Sequence, residues 1–180
     1  MRILGIDPGS VICGYGIIEV EAGKIILVEY GVIKAKKKEE DFPLRLKEIF
    51  ERLTSVIERH LPDESALESV FFSKNVQSLM KLSHARAAAM LASTLREIPV
   101  AEYSPREVKK AVTGNGNASK QQVEYMVKSL LKISETHEFF DATDALAVAL
   151  CHAYRWKQNA SPVKNWKDFA SRNPERIIKN

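Results

Sequence analysis

The feature that most constrains the fold is the order in which two hydrophobic periodicities follow each other along the chain. Three apolar, β-branched runs come first, at residues 2–7, 11–20 and 25–35, and turn sequences separate them. Helical spacing then alternates with short apolar runs at 66–72 and 99–103. Consecutive strands form antiparallel pairs, whereas strand–helix alternation produces parallel pairs. The order therefore predicts an α/β fold, with a mixed five-stranded sheet of three antiparallel strands and then parallel strands, flanked by helices.

Start and stop signals predict where the helices lie. The sequences beginning at Ser104 and Ser119 are capping boxes, in which the serine accepts a backbone hydrogen bond and Glu107 or Gln122 returns one. Gly114 breaks the pattern between them. The predicted helical segments are residues 41–61, 75–97, 105–113, 119–133 and 139–156.

Length and composition indicate one globular domain. The 180 residues suit a single core, and the hydrophobic and charged fractions of 45% and 28% are ordinary for such proteins. No stretch of sequence approaches the ~20 apolar residues of a membrane helix, and the N-terminal apolar run is too short for a signal peptide. We therefore expect a cytoplasmic protein without a membrane partner. Cys13 and Cys151 lie in apolar segments and are expected to be reduced and buried.

The net charge of +4 is concentrated at the C-terminal end. Residues 155–180 carry a net charge of +5, so the rest of the chain carries −1. The hydrophobic periodicity fades after Trp156, which predicts one ordered domain over residues 1–156 and a flexible basic tail over 157–180. This tail, which contains Trp166 and Phe169, would attract phosphate groups non-specifically or dock elsewhere on the protein.

Two carboxylates occupy unusual places in apolar segments. Asp7 ends the first apolar run, where it either begins the following turn by binding its own backbone or serves as a ligand. Glu68 lies within the apolar run 66–72, although glutamate is depleted in strands and costly in a sheet interior. A solvated strand face is the alternative for Glu68. An isolated carboxylate in a central strand nevertheless favours a functional site.

Asp141 and Asp144 stand one turn apart on one face of an otherwise apolar helix. A helix dipole would stabilise Asp141 near the helix start, but Asp144 precedes a long buried run and would repel Asp141 unless a cation lay between them. With Asp7 and Glu68 they offer four oxygen ligands, which suit Mg²⁺ or Mn²⁺ rather than zinc. Two such ions would activate water for phosphodiester cleavage. His137 either assists proton transfer or is a surface histidine.

The motifs around these carboxylates resemble, in order, those of RuvC-type crossover junction endodeoxyribonucleases, the bacterial Holliday-junction resolvases. The resemblance extends from residue 3 to about residue 154. The matching segments are Gly5-Ile6-Asp7-Pro8-Gly9-Ser10, Gly14-Tyr15-Gly16, Glu68-Ser69-Val70-Phe71-Phe72-Ser73-Lys74-Asn75, Ala85-Arg86, Tyr103-Ser104-Pro105-Arg106-Glu107-Val108-Lys109, Gly114-Asn115-Gly116, Lys120-Gln121-Gln122-Val123 and Asp141-Ala142-Thr143-Asp144-Ala145-Leu146-Ala147.

The resemblance implies an RNase H-like fold and a homodimer that cuts four-way DNA junctions in recombination and repair. Cleavage would depend on Mg²⁺, for which Mn²⁺ would substitute, with two ions per site, and would leave 5′-phosphate and 3′-hydroxyl ends. The four carboxylates would be catalytic metal ligands. A branch-migration helicase complex of the RuvA and RuvB type is implied as a partner.

The resemblance also implies residues that contact DNA, and each has an ordinary structural alternative. Phe71 would stack on an unpaired base, or else it is a core phenylalanine. Lys109 and Lys120 would face the DNA backbone, or else they are surface lysines on helices. Lys74 and Arg86 lie in the matching segments and are predicted to bind DNA as well.

Two further questions stay open in the sequence. The helix at 75–97 is the expected dimer interface because its alanines, from Ala85 to Ala92, permit close approach, but the same alanines would also pack well on the sheet of their own subunit.

The alternative functions are a related nuclease that acts on RNA, an inactive binder of branched DNA, and an actin-like sugar kinase or ATPase. The last needs a second similar domain, for which 180 residues leave no room.

Overall fold

A computed structural model describes residues 1–35, 41–69, 75–134 and 140–160. Five strands form one sheet in the order β3-β2-β1-β4-β5. The strands β1, β2 and β3 pair antiparallel, and β4 and β5 join them in parallel, as predicted. Their bounds are β1 Arg2–Asp7, β2 Ile12–Glu21, β3 Lys24–Lys34, β4 Glu64–Glu68 and β5 Val100–Tyr103.

The helices form a layer on each face of the sheet. Helices α1 and α2 cover one face and α3, α4 and α5 cover the other. Each layer has its own core, because successive strand residues point to opposite faces. In β1, Ile3 packs towards α5, whereas Leu4 and Ile6 pack towards α1 and α2. The helix bounds are α1 Phe42–His60, α2 Val76–Thr94, α3 Pro105–Thr113, α4 Lys120–Leu131 and α5 Phe140–Ala160.

The local signals in the sequence place the starts of α3 and α4 and the end of α3 correctly, whereas α4 ends at Leu131, two residues before its predicted end. Both capping boxes form, with the Ser104 side chain accepting from Glu107 and the Ser119 side chain accepting from Gln122. Gly114 ends α3 with a φ of 78°, a left-handed conformation that glycine adopts without strain.

Several sequence predictions need correction or lie outside the described residues. Glu68 is the last residue of β4, not a mid-strand residue. Helix α5 continues to Ala160, past its predicted end at Trp156. Phe71, Lys74, His137 and residues 161–180 lie outside the described part. Cys13 and Cys151 are free and buried, and no helix within the described ranges has the length and apolar character needed to span a bilayer.

The alanines of α2 differ in their exposure. Ala85, Ala89 and Ala92 are fully buried in the core of their own subunit. Ala87, on another side of the helix, is exposed. The intramolecular alternative is therefore correct for the buried alanines, and these three are not available for a dimer interface.

Candidate active site

The candidate site lies at one edge of the sheet, where β1 and β4 end side by side. Asp7 is the last residue of β1 and Glu68 the last of β4, and the two strands run parallel with Ile6 opposite Leu67. Asp7 and Glu68 have the strand parity of Ile3 and Ala66, whose side chains pack towards α5. Both carboxylates therefore point to the same helix. The carboxyl edge of parallel strands is where α/β proteins commonly bind ligands.

Helix α5 approaches this edge closely because glycines line its path. A Cβ atom at Gly14 would lie 2.0 Å from the carbonyl oxygen of Asp141, and one at Gly5 would lie 2.1 Å from the carbonyl oxygen of Ala145. Any side chain at these positions would push the helix away from the sheet. The glycines thus let the backbone of α5 lie directly on β1 and β2 and bring Asp141 and Asp144 towards Asp7.

Three of the four predicted carboxylates form a compact group. One oxygen each from Asp7, Asp141 and Asp144 lies within 4.8 Å of the other two. Glu68 lies outside that group but near it, since its charge raises the pKa of Asp7 and it lines a cavity together with Asp144. The structure therefore brings Asp7 and both helix acids together, with Glu68 at the margin.

The electrostatics of the group show strong mutual repulsion. Burial raises the pKa of Asp7 to about 7, and repulsion from Asp144, Glu68 and Asp141 adds to it. Burial and the charge of Asp144 also raise the pKa of Glu68. Burial raises the pKa of Asp144 despite its hydrogen bond to Lys120. Carboxylates held together against such repulsion are typical of sites that a cation completes.

Two of the predicted DNA-contacting lysines lie beside the carboxylates. Lys120 Nζ is 2.7 Å from Asp144 Oδ2 and 5.7 Å from the centroid of the Phe140 ring. The positive charge of Lys109 partly offsets the rise in the pKa of Glu68. Both lysines line a cavity of about 200 Å³ together with Glu68 and Asp144. The site is therefore an acidic centre with a basic rim.

Arg86 differs from these lysines. Its guanidinium forms an ion pair with Glu102 of β5, and its side chain is only 19% exposed. This ion pair joins α2 to the edge strand β5.

Several features that build the site were not predicted from the sequence. The contacts of Gly5 and Gly14 with α5 were missed, although glycines inside strands often mark a close backbone approach. The contact of Phe140 with Lys120 was missed because nothing in the sequence pairs the two residues.

The ligand set fits Mg²⁺ or Mn²⁺. The clustered side chains offer only carboxylate oxygens, which hard divalent cations prefer, and the raised pKa values show that negative charge is in excess there. A mixed sheet of this topology with carboxylates at its parallel edge defines the class of RNase H-like, metal-dependent nucleases.

Comparison with known proteins gives the family within that class. A sequence profile described as crossover junction endodeoxyribonuclease RuvC matches residues 3–152. The crossover junction endodeoxyribonuclease RuvC of Porphyromonas gingivalis is 45% identical over 97% of this chain and 96% of that protein. The corresponding protein of Salinibacter ruber is 46% identical over 98% of this chain and 99% of its own length.

A solved structure agrees with the sequence comparison. Thermus thermophilus RuvC in complex with a Holliday junction substrate superposes with a TM-score of 0.81 at 34% identity, covering 87% of this chain and 95% of that one. The chain therefore belongs to the RuvC family of crossover junction endodeoxyribonucleases. Its activity is hydrolysis of DNA at Holliday junctions.

Proposed function

We propose that Asp7, Glu68, Asp141 and Asp144 hold two Mg²⁺ ions and that the site cuts one strand of a four-way junction, leaving a 5′-phosphate and a 3′-hydroxyl. The observation that carries this proposal is the convergence of Asp7, Asp141 and Asp144 oxygens within 4.8 Å. When bound, such a cation pair supplies the activation of water and the stabilisation of the leaving oxygen of an in-line displacement. We expect Mn²⁺ to substitute for Mg²⁺, because both accept carboxylate ligands.

The residues of the chain supply position and charge. Asp7, Asp141 and Asp144 would hold the cations from the centre of the group, and Glu68 would add a further carboxylate from its margin. Lys120 holds a positive charge 2.7 Å from Asp144, at the place where a scissile phosphate enters. Lys109, which lines the same cavity, would act on the same DNA backbone. These lysines draw the phosphate towards an otherwise repulsive acidic centre.

A two-fold homodimer accounts for two symmetric cuts, since each subunit carries one site. The exposed side of α2 is the surface that we assign to the dimer. Its large apolar residues are Val76, Met80, Leu91 and Leu95, which are 64%, 56%, 52% and 66% exposed. They lie on the same side of the helix in two pairs, one near each end, with exposed His84 and Ala87 between the pairs. We call these four residues the apolar stripe, which a second copy would bury. This stripe replaces the alanines as the proposed interface.

Further partners and DNA contacts follow from the family. Thermus thermophilus RuvC is known with a Holliday junction substrate, and four-way junction DNA is accordingly the proposed substrate here. Phe71 and Lys74 precede α2 and are proposed to meet the junction core. We propose that Arg86, which is also paired with Glu102, binds DNA as well. A branch-migration complex of the RuvA and RuvB type is the proposed partner in the cell, where we propose a cytoplasmic location.

The domain organisation is also a proposal. We propose a nuclease domain over residues 1–156 and a basic tail over 157–180, whose first residues continue α5 as far as Ala160. The tail would add non-specific attraction to DNA through its net positive charge.

The decisive test is cleavage of a synthetic four-way junction beside a linear duplex of equal length. With Mg²⁺ or Mn²⁺ we expect paired, symmetric cuts in the junction and none in the duplex. With Ca²⁺ we expect junction binding without cleavage. Cleavage in the presence of a chelator, or equal cleavage of both DNAs, would refute the proposal.

A further inference from the structure

A chain of hydrogen bonds joins three elements on the α5 face of the sheet, away from the carboxylate group. The Tyr103 hydroxyl lies 2.7 Å from Nδ1 of His152, and Nε2 of the same ring lies 2.6 Å from Oε2 of Glu64. His152 is 6% exposed and Tyr103 is 7% exposed. Glu64, His152 and Tyr103 belong to β4, α5 and β5, so the chain ties the helix to two strands at once.

The donor and acceptor roles fix the orientation of the histidine ring. An ionised Glu64 carboxylate only accepts hydrogen bonds, so Nε2 of His152 carries the proton in this pair. In a neutral ring, Nδ1 then accepts the proton of the Tyr103 hydroxyl. A buried ring that uses both nitrogens in this way has one favoured position, because any shift leaves a buried polar group unpaired.

The hydrogen-bonded residues lie at about the same distance from the active site when measured along the helix and along the strand. His152 follows Asp144 by two turns of α5, which corresponds to a rise of about 12 Å. Glu64 and Glu68 are the first and last residues of β4, which corresponds to about 13 Å along an extended strand. The helix therefore meets β4 at two matched levels, with His152 on Glu64 at one end and Asp144 beside Glu68 at the other.

The contacts at the two levels have opposite effects on α5: the hydrogen bonds of His152 hold the helix on the sheet, whereas the acids repel it. At the site, oxygens of Asp144 and Asp141 on α5 lie within 4.8 Å of an oxygen of Asp7 on β1, so like charges repel between the helix and the strand. Small side chains provide few ridges that would resist sliding of the helix along the sheet. Five buried residues of α5 are such small residues, namely Ala142, Ala145, Ala147, Ala149 and Ala153, and they alternate with larger ones such as Leu146 and Leu150.

Resting on the proposed role of the carboxylates, we propose that His152 is a positioning residue. Held between Tyr103 and Glu64, it fixes the axial register of α5 and thereby the distance from Asp144 to Asp7 and Glu68. It acts through the helix and touches neither the DNA nor the ions.

The test compares cation binding with stability in two variants. Tyr103→Phe removes one hydroxyl and keeps the ring, and His152→Gln retains one polar contact. For both we expect the concentration of Mn²⁺ at half saturation, measured by calorimetry on folded protein without DNA, to rise about 10-fold, the size of effect seen when residues that orient metal ligands are changed. The Mg²⁺ concentration that gives half-maximal junction cleavage should rise in parallel.

The matched control is Val56→Ala, which removes buried volume from α1 on the opposite face of the sheet. It should lower the melting temperature as Tyr103→Phe does and change Mn²⁺ affinity by less than about twofold, because distant sites act independently. Tyr103→Phe and His152→Gln with wild-type Mn²⁺ affinity would overturn the positioning role alone. A wild-type protein that binds no Mn²⁺ would overturn the proposed function itself.

Discussion

At Asp7, burial and three neighbouring carboxylates act in the same direction on one side chain. Its pKa of about 7 lies far above the ordinary value of 3.8. Between these two pH values the folded protein holds a proton that the unfolded chain has released. Stability of the cation-free protein therefore falls as pH rises through this window, and the full penalty is present above pH 7.

Asp7→Asn should stabilise the cation-free protein at high pH, because it removes the charge and keeps the shape. The gain at pH 8.5 is expected to reach at most about 4 kcal/mol, the equivalent of a shift of three pKa units. It should shrink at pH 5, where Asp7 is already protonated in the folded state. Thermal unfolding in chelator at both pH values measures it, and an equal difference at pH 5 and pH 8.5 would argue against repulsion as the cause. The same variant should bind junctions without cutting them.

Cation binding should also depend on pH, since a ligand must lose its proton to bind a cation. We expect the Mn²⁺ affinity of the wild-type protein to rise between pH 6 and pH 8, with release of a proton from Asp7. Calorimetry in buffers of different ionisation heat counts the released protons. Asp7→Asn is the control, and it should show weak binding with much less pH dependence.

Lys120 is tied to one acid of the group, and its hydrogen bond to Asp144 raises the pKa of the lysine. Lys120→Ala should slow junction cleavage about 100-fold, the size of effect of losing one preorganised charge at a reacting phosphate. Lys110→Ala, on the exposed side of α3, is the matched control and should cut at the wild-type rate. Equal rates for the two variants would mean that Lys120 is an ordinary surface lysine.

At the scale of elements, α5 shows how much of the site could be predicted. Asp141 and Asp144 were identified from their spacing on an apolar helix, and both capping boxes predicted the starts of the neighbouring helices to within a residue. The short distance between α5 and the sheet was not predictable, because it depends on the close approach of Gly5 and Gly14 to helix backbone that is distant in sequence. The hydrogen-bond chain through His152 escaped notice for the same reason: Tyr103 and Glu64 are close to it only in the fold.

Gly14→Ala tests the close approach of α5. The added Cβ would lie 2.0 Å from the carbonyl oxygen of Asp141, so the first turn of the helix must move. We expect cleavage to fall about 100-fold, since displacement of a catalytic group by about 1 Å has that effect. Gly23→Ala is the control: its φ of 80° makes the substitution strained, but nothing lies within 4 Å of the new Cβ. It should lose stability and retain cleavage, and loss of cleavage in both variants would contradict this explanation.

At the scale of the whole molecule, the two faces of the sheet carry different groups. The face covered by α3, α4 and α5 carries the carboxylates and lysines, and the face covered by α1 and α2 carries the apolar stripe on α2. An interface on the second face leaves both active sites of a dimer open to DNA. The arrangement therefore allows one two-fold axis to relate two sites without either subunit blocking the other.

Leu91→Glu tests that interface, because it places a charge among the exposed apolar residues of α2 without entering the core. Leu91 is 52% exposed, so the subunit should remain folded while the dimer dissociates. We expect a monomer in sedimentation at micromolar concentration and junction products dominated by single nicks, because the second cut is no longer coupled to the first. Leu130→Glu places the same charge on α4, where Leu130 is 39% exposed, and should remain dimeric with paired cuts. A Leu91→Glu protein that still sediments as a dimer would locate the interface elsewhere.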